Sequence, residues 1–170
     1  MSYITVDSST SSTTVLVFDE KLEILKKFQK EHSQIVTQEG YIEHDLEEIY
    51  QNLLDDLKSS YKSVGKINII TKRIDNLNLS KLRGSLDSLK KEVSNLIIIL
   101  VGSMEEKSTI LVSVSNDITA TYDARNLLDS LSKIIGAKGG GKSDFAQAGG
   151  PASNKLDEIL ISAEKILTEI

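Results

Sequence analysis

The residues best suited to chemistry lie in one stretch, Gly136–Gly150, which contains the run Gly-Gly-Gly-Lys-Ser-Asp-Phe-Ala-Gln-Ala-Gly-Gly. Consecutive glycines expose backbone N–H groups and adopt positive φ at little cost, so such a loop can approach an anion closely and cradle it. Lys142 would add a positive charge, and Gln147 an amide that both donates and accepts hydrogen bonds. The stretch therefore predicts an anion-binding loop. The alternative is a flexible connection between two helices, because glycine clusters are more often turns.

The same stretch also fits a nucleotide-binding pattern, but its context argues against that function. Gly136–Ser143 satisfies G-x-x-x-x-G-K-[ST]. A phosphate-binding P-loop requires a strand before it and a helix that starts at the lysine. Here the segment follows a predicted helix, and two further glycines and Pro151 come soon after it, which a helix interior would not hold. We therefore do not predict an ATPase.

Other residue types exclude several classes of site. The chain has no cysteine, which removes disulfides, thiolate metal sites and a cysteine nucleophile. The two histidines, His32 and His44, are interpreted as solvated or structural. The sequence thus predicts no catalytic residue, no metal and no cofactor. The longest apolar run, Leu96–Val101, is too short to cross a bilayer, and no signal peptide is visible, so we expect a cytoplasmic protein without a membrane partner.

Charge is unevenly distributed along the chain. The net charge is −5, with −6 in residues 1–65 and +1 in residues 66–170. The near-neutral second part could bind RNA if its cations cluster on one face, whereas an ordinary solvated surface is the alternative. The cations in question are Lys138, Lys142, Lys133, Arg83 and Lys90.

Hydrophobic patterns predict the elements that would position these residues. In the first part, β-rich runs predict an antiparallel meander, followed by a helix from His44 whose first turn is acidic. The meander strands are expected at Tyr3–Asp7, Thr13–Phe18 and Ile24–Gln29.

In the second part, helical stripes alternate with apolar strands. Strands are expected at Ile67–Ile74, Leu96–Val101 and Thr109–Val114, the last two as a hairpin. Helices are expected over Leu79–Val93, after a cap at Thr121, and after Pro151 and Ser153. The predicted fold class is α/β (α+β): an N-terminal antiparallel meander plus helix, then a mixed sheet with flanking helices. We place the domains at residues 1–61 and 62–170.

The glycine-rich run resembles the signature of the domain that follows DHH phosphoesterase domains and that also ends alanyl-tRNA synthetases. The resemblance extends back through Leu79–Arg83 and covers about residues 62–170. It implies binding of tRNA or another structured RNA, and a contribution to homodimerisation, without the synthetase's catalytic machinery. The residues it places at the nucleic-acid surface are Gly139, Gly140, Gly141, Lys142 and Gln147, beside Lys138. Lysine stands where arginine or histidine is frequent, which removes a bidentate phosphate contact.

The first part is similar to a different family, the glycerol kinases, which have an actin-like fold. The similarity is carried by Tyr3–Asp19 and by Gly40–Asp45, and covers about residues 1–58. Of the phosphate-contacting pattern in the first hairpin, Asp7, Thr10 and Ser12 remain, but its glycine and arginine are missing. The general base of such kinases lies in sequence that this chain lacks, so no kinase activity is expected.

Three functions follow as alternatives. The first is a noncatalytic RNA-binding module joined to a truncated kinase segment. The second is a structural or decayed fusion remnant, and the third is a nucleotide-binding pseudokinase fragment that uses Asp7, Thr10 and Ser12. If the two parts share one fold, Ile67–Ile74 would belong to both sheets; two separate sheets would contradict that hypothesis.

Overall fold

The computed structural model of the chain describes residues 3–8, 12–18, 21, 23–31, 34–36, 42–44, 46–76 and 78–168. The chain divides into two compact units, Met1–Ser59 and Ser60–Ile170. In the described residues of both units, no helix is long and apolar enough to span a bilayer.

The N-terminal unit begins with the predicted antiparallel meander. Three strands, β1 (Tyr3–Ser8), β2 (Ser12–Phe18) and β3 (Ile24–Glu31), form a sheet in the order β1-β2-β3. A short hairpin of β4 (Gln34–Val36) and β5 (Ile42–His44) follows. Helix α1 (Leu46–Ser59) starts two residues after His44, which belongs to β5. Its apolar stripe buries Leu53, Leu54 and Leu57.

The C-terminal unit is built on a mixed sheet of six strands in the order β10-β11-β9-β8-β7-β6. The strands β7 and β8 are parallel, and the other neighbours are antiparallel. The predicted mixed sheet is confirmed, with two additional strands at its far edge. The strands are β6 (Lys62–Val64), β7 (Ile67–Arg73), β8 (Leu96–Met104), β9 (Lys107–Val114), β10 (Lys138–Lys142) and β11 (Phe145–Pro151).

Three α-helices flank this sheet: α2 (Arg83–Glu92), α3 (Ala124–Ser132) and α4 (Leu156–Thr168). A 3₁₀ turn, Leu79–Leu82, leads directly into α2. The expected cap of α3 at Thr121 is wrong, because Asp123 occupies that position and its carboxylate accepts the Arg125 backbone N–H at 2.8 Å. Ser153 does lead into the last helix, where its hydroxyl accepts the Lys155 N–H at 3.1 Å.

The core lies on both faces of the sheet, with β8 at its centre. Every residue from Leu96 to Val101 has no exposed surface, as expected for a strand covered on both sides. One face packs on α3 and α4. The other packs under the 3₁₀ turn and α2, which bury Leu79, Leu82, Leu86 and Leu89. Burying each such side chain contributes about 1.5–3 kcal/mol, so the packing of helices on both faces of the sheet is the main source of stability.

The hypothesis that Ile67–Ile74 joins both parts in one sheet is wrong. The strand β7 pairs with β6 and β8, and the meander β1–β3 is a sheet of its own. The strand that precedes β7 is β6, which forms an antiparallel hairpin with β7 and occupies one edge of the sheet. This edge position was not predicted, since Lys62–Val64 has too few apolar residues to stand out as a strand.

Candidate nucleic-acid interface

The glycine-rich stretch forms a β-hairpin, which corrects the prediction of an open loop. Strand β10 pairs in register with β11, from Lys138 opposite Gly149 to Lys142 opposite Phe145, and the chain turns at Ser143 and Asp144. Among the described residues, strand β10 is the edge of the sheet, and all five of its residues are exposed. Sequence reasoning failed here because glycine is depleted in strands. Within the stretch, β10 is exposed, whereas Phe145, Ala146 and Ala148 of β11 are buried.

The strand register places part of this stretch on one face of the sheet. Alternate residues Lys138, Gly140 and Lys142 point to the same side, together with their partners Gly149, Gln147 and Phe145. The Phe145 ring lies 4.6 Å from the Arg83 guanidinium carbon of α2, so this is the face that α2 covers. Helix α2 leaves the outer part of the face open, where Gln147 and Gly149 are exposed.

The glycines have two different roles. A Cβ at Gly139 would lie 1.9 Å from the Gln147 carbonyl oxygen, and one at Gly141 would lie 2.2 Å from the Phe145 oxygen. These two glycines are required because the hairpin strands approach each other closely. A Cβ at Gly140 or Gly149 would meet nothing within 4 Å. The fold does not require glycine at these last two positions. The space left by their missing side chains is therefore open to a ligand.

Gly140 and Gly149 lie in a shallow groove of about 320 Å³, which we call the glycine groove. Most of its lining residues belong to β10 and β11, and one hydroxyl-bearing residue comes from the 3₁₀ turn and one from β9. Its lining residues are Ser80, Thr109, Lys138, Gly139, Gly140, Gln147, Ala148 and Gly149. The groove thus offers main-chain groups, two hydroxyls, one amide and one ammonium to a flat polar ligand.

The cations predicted to share one face do so only in part. Lys138 and Lys142 are exposed, and in the part of the chain that the structure describes neither makes an ion pair. Arg83 is exposed on the same side, above Phe145. Lys133, in contrast, ends α3, which covers the opposite face. Lys90 is withdrawn from solvent, with its side chain 8% exposed and its ammonium 2.9 Å from Asp87.

Three carboxylates near the ends of elements, Asp75, Asp117 and Asp123, have lowered pKa values. Burial alone raises the pKa of Asp75, but hydrogen bonds from the Ser103 N–H and hydroxyl, with the Arg73 guanidinium, outweigh it and hold the pKa below its ordinary value. The Arg125 side chain lowers the pKa of Asp123 to about 2. Asp75 and Asp123 are therefore ionised at neutral pH and act as structural anchors, and neither lines the glycine groove.

The alternative nucleotide site is only partly described. Asp7 lies on β1, and Ser12 opens β2. Ser12 is 6% exposed, and its hydroxyl accepts a hydrogen bond from the Gln29 amide at 3.3 Å, which turns it inward rather than toward a ligand. Thr10 lies outside the described residues.

Sequence reasoning missed Ser80 and Thr109 as lining residues. Thr109 enters through the pairing of β9 with β11, which places it directly opposite Gly149. Ser80 enters because the 3₁₀ turn crosses the same face. Both positions depend on contacts between distant segments, and neither residue type is distinctive in sequence.

The six-stranded mixed sheet, its flanking helices and the exposed glycine hairpin define a small α/β domain. The family model described as the DHHA1 domain matches residues 66–169, so the chain belongs to the DHHA1 domain family. The resemblance predicted from the glycine-rich run is confirmed at this level.

Curated relatives extend the match beyond the C-terminal unit. Alanine–tRNA ligase of Hydrogenovibrio crunogenus is 31% identical over 137 residues, covering 78% of this chain and 16% of the relative. The same enzyme of Fervidobacterium nodosum is 29% identical over 149 residues, covering 86% and 17%. The chain therefore spans about one sixth of these relatives. A match to 86% of the chain is more than Ser60–Ile170 can supply, so it also includes residues of the N-terminal unit.

One solved structure of similar fold covers almost two thirds of this chain. The C-Ala domain of Aquifex aeolicus alanyl-tRNA synthetase has a TM-score of 0.58 and 23% identity, covering 64% of this chain and 98% of that one. Plasmodium falciparum glycerol kinase has a TM-score of only 0.33 with 19% identity, covering 79% of this chain and 25% of that one. At that score the likeness carries no argument, and the predicted fusion with a kinase segment gains no support.

Proposed function

We propose that this chain is a noncatalytic RNA-binding module whose ligand is tRNA or another structured RNA, bound along the outer face of the β10–β11 hairpin. The observation that carries the proposal is the pair of exposed lysines, Lys138 and Lys142, on either side of a bare Gly140 on an open strand. An ammonium at each end and no side chain between them suits a continuous polyanion better than a small ligand.

The chemistry of the glycine groove fits RNA in particular. RNA presents 2′-hydroxyls and phosphate oxygens in a shallow groove, where contacts depend on shape. Gln147 can donate to and accept from such groups, and Ser80 and Thr109 add hydroxyl partners. The absence of a Cβ at Gly140 and Gly149 lets a sugar or phosphate reach the backbone. In this proposal Lys138, Lys142 and Arg83 bind phosphates, and Gly139 and Gly141 maintain the hairpin.

Family membership supports the same ligand. The curated relatives act on tRNA by name, and the chain matches about one sixth of their length. The proposed role is therefore RNA capture, with aminoacylation belonging to regions of the relatives outside this match. Homodimerisation through the β10 edge is not part of the proposal, because an antiparallel pairing centred on Gly140 would set Lys138 opposite Lys142 of the second copy.

The test is a titration of the full chain with a labelled tRNA transcript at three or more salt concentrations. Lys138→Gln and Lys142→Gln should each weaken binding and reduce the slope of log K against log salt by about 0.7–0.9, the loss of one phosphate contact. Lys133→Gln is the matched control, since it removes the same charge from the helix on the opposite face and should change the slope little.

A different explanation of the lysines is that they protect an open strand from pairing with other chains. In that case the glutamine variants would leave RNA binding unchanged and would self-associate, as measured by sedimentation. Unchanged affinity in both variants contradicts the proposal. Titration with ATP in the same assay tests the alternative site at Asp7, Thr10 and Ser12, and saturable binding lost in Asp7→Ala would favour that function.

A further inference from the structure

The tip of the β10–β11 hairpin is held by side chains and backbone groups from three other elements. The Ser143 carbonyl accepts the Ala124 N–H at the start of α3, at 2.9 Å. The Asp144 carbonyl accepts the Val114 N–H at the end of β9, also at 2.9 Å. The same Asp144 carbonyl also accepts a hydrogen bond from α2, donated by the Lys90 ammonium at 3.3 Å.

Lys90 is one of two withdrawn lysines among the described residues of this unit: its side chain is only 8% exposed, and Lys72 of β7 is 2% exposed. The Lys90 ammonium lies 2.9 Å from the Asp87 carboxylate and 3.9 Å from that of Asp144. A withdrawn ammonium is retained only when hydrogen bonds and opposite charge compensate the lost hydration, and here the hairpin tip supplies part of that compensation. Removing Lys90 would therefore remove the hydrogen bond and the ion pair that join the tip to α2, leaving the contact of Arg83 with Phe145.

The hairpin needs such a tether because of its composition. Glycine occupies Gly139–Gly141 and the pair Gly149 and Gly150, and glycine in a strand has high backbone entropy and no side chain to pack. Strand β10 is also paired on one side only. Restraint at the tip, close to Lys142, would keep that strand in a fixed conformation.

We propose that Lys90 is a positioning residue that fixes the β10–β11 hairpin against α2, so that β10 meets its ligand already ordered. The inference rests on the proposed function for its effect on RNA, but the ordering of the hairpin is a property of the chain alone. Lys90 touches no ligand in this proposal. Its loss acts through Asp144 and raises the entropy that binding must remove.

The test combines hydrogen exchange with tRNA titration on the full chain. In Lys90→Met, the amides of residues 138–142 should exchange about tenfold faster relative to those of β8, which report global opening. The dissociation constant for a tRNA transcript should rise about fivefold, while the slope of log K against log salt stays at the wild-type value, because no phosphate contact is removed. Lys142→Gln should show the reverse: a smaller slope with unchanged exchange.

Lys91→Met is the matched control, and it should change neither measurement. Lys91 is the exposed neighbour of Lys90 on α2, and both line a surface cavity that also includes Asp87 and Asp144. If Lys90→Met does not fold, Asp87→Asn weakens the same tether with every interface residue in place, and about threefold faster exchange in β10 is expected. Unchanged relative exchange in the hairpin overturns the proposal. So does a reduced salt slope in Lys90→Met, which would make Lys90 a phosphate contact. If the wild-type chain binds no tRNA, the proposed function fails, and the exchange result still decides the role of Lys90.

Discussion

Two single alanine substitutions at adjacent glycines of β10 distinguish a glycine that the fold requires from one that lies open to a ligand. In Gly139→Ala the new Cβ would lie 1.9 Å from the Gln147 carbonyl oxygen and 2.4 Å from the Ala148 Cα. Both are backbone atoms of a paired strand, so no side chain can rotate away. In Gly140→Ala, one residue further on, the Cβ meets nothing within 4 Å.

The expected magnitudes follow from that geometry. To restore an ordinary contact in Gly139→Ala, the strands must part by about 1 Å, which combines overpacking of about 1–3 kcal/mol with the weakening of ladder hydrogen bonds worth about 1 kcal/mol each. We expect a total loss of about 2–4 kcal/mol. Gly140→Ala should be neutral or stabilising by about 0.4–1 kcal/mol, because alanine restricts the unfolded chain.

Urea unfolding of the two variants measures the difference. With a slope of about 2 kcal/mol per molar urea, Gly139→Ala should lower the unfolding midpoint by about 1–2 M, and Gly140→Ala should leave it in place or raise it by up to about 0.5 M. The tRNA titration then gives the second result. Gly140→Ala places a methyl group on the floor of the glycine groove and should weaken binding several-fold in a fully folded protein. Equal stability of the two variants would refute the close-approach argument, and wild-type affinity in Gly140→Ala would refute the assignment of the groove floor.

Three further outcomes concern the scaffold. Leu100→Ala, at a fully buried position of β8, should cost about 2–5 kcal/mol in urea unfolding, and a loss below 1 kcal/mol would contradict the central placement of that strand. Asp75→Asn should be less stable than wild type at neutral pH. Since the folded-state pKa of Asp75 is lowered, this difference in stability should be constant above about pH 5 and should shrink as pH falls through about 4 toward the folded-state pKa. A difference that does not depend on pH would refute the anchor at Ser103. Asp123→Ala should lower the thermal midpoint by removing the cap of α3, whereas Asp123→Asn should retain most of that stability because asparagine can also accept the Arg125 N–H.

The sequence by itself determined the central elements of the C-terminal unit and its family. The apolar run Leu96–Val101 could only be a buried strand, and the hairpin with β9 followed from two adjacent β-rich runs. The stripe from Leu79 to Leu89 showed which face of the helix is buried, although not that its first turn is a 3₁₀ turn. The glycine-rich run indicated the DHHA1 family because its residues are unusual in type and order.

Only the tertiary structure decided how that run is used. Glycines carry no pattern that distinguishes a strand from a loop, and β10 exists because β11 is held by β9 and by the anchored tip at Asp144. Gly139 and Gly141 are required by the close approach of β11, whereas Gly140 is not. Which glycine falls in which group depends on the register of the two strands. The separation of Lys133 from Lys138 and Lys142 likewise depends on the face of the sheet that α3 covers, whereas Lys90 lies on α2 on their own face and is withdrawn by Asp87 and Asp144. Charge and residue type are local properties, whereas the face on which a side chain emerges is fixed by contacts between distant segments.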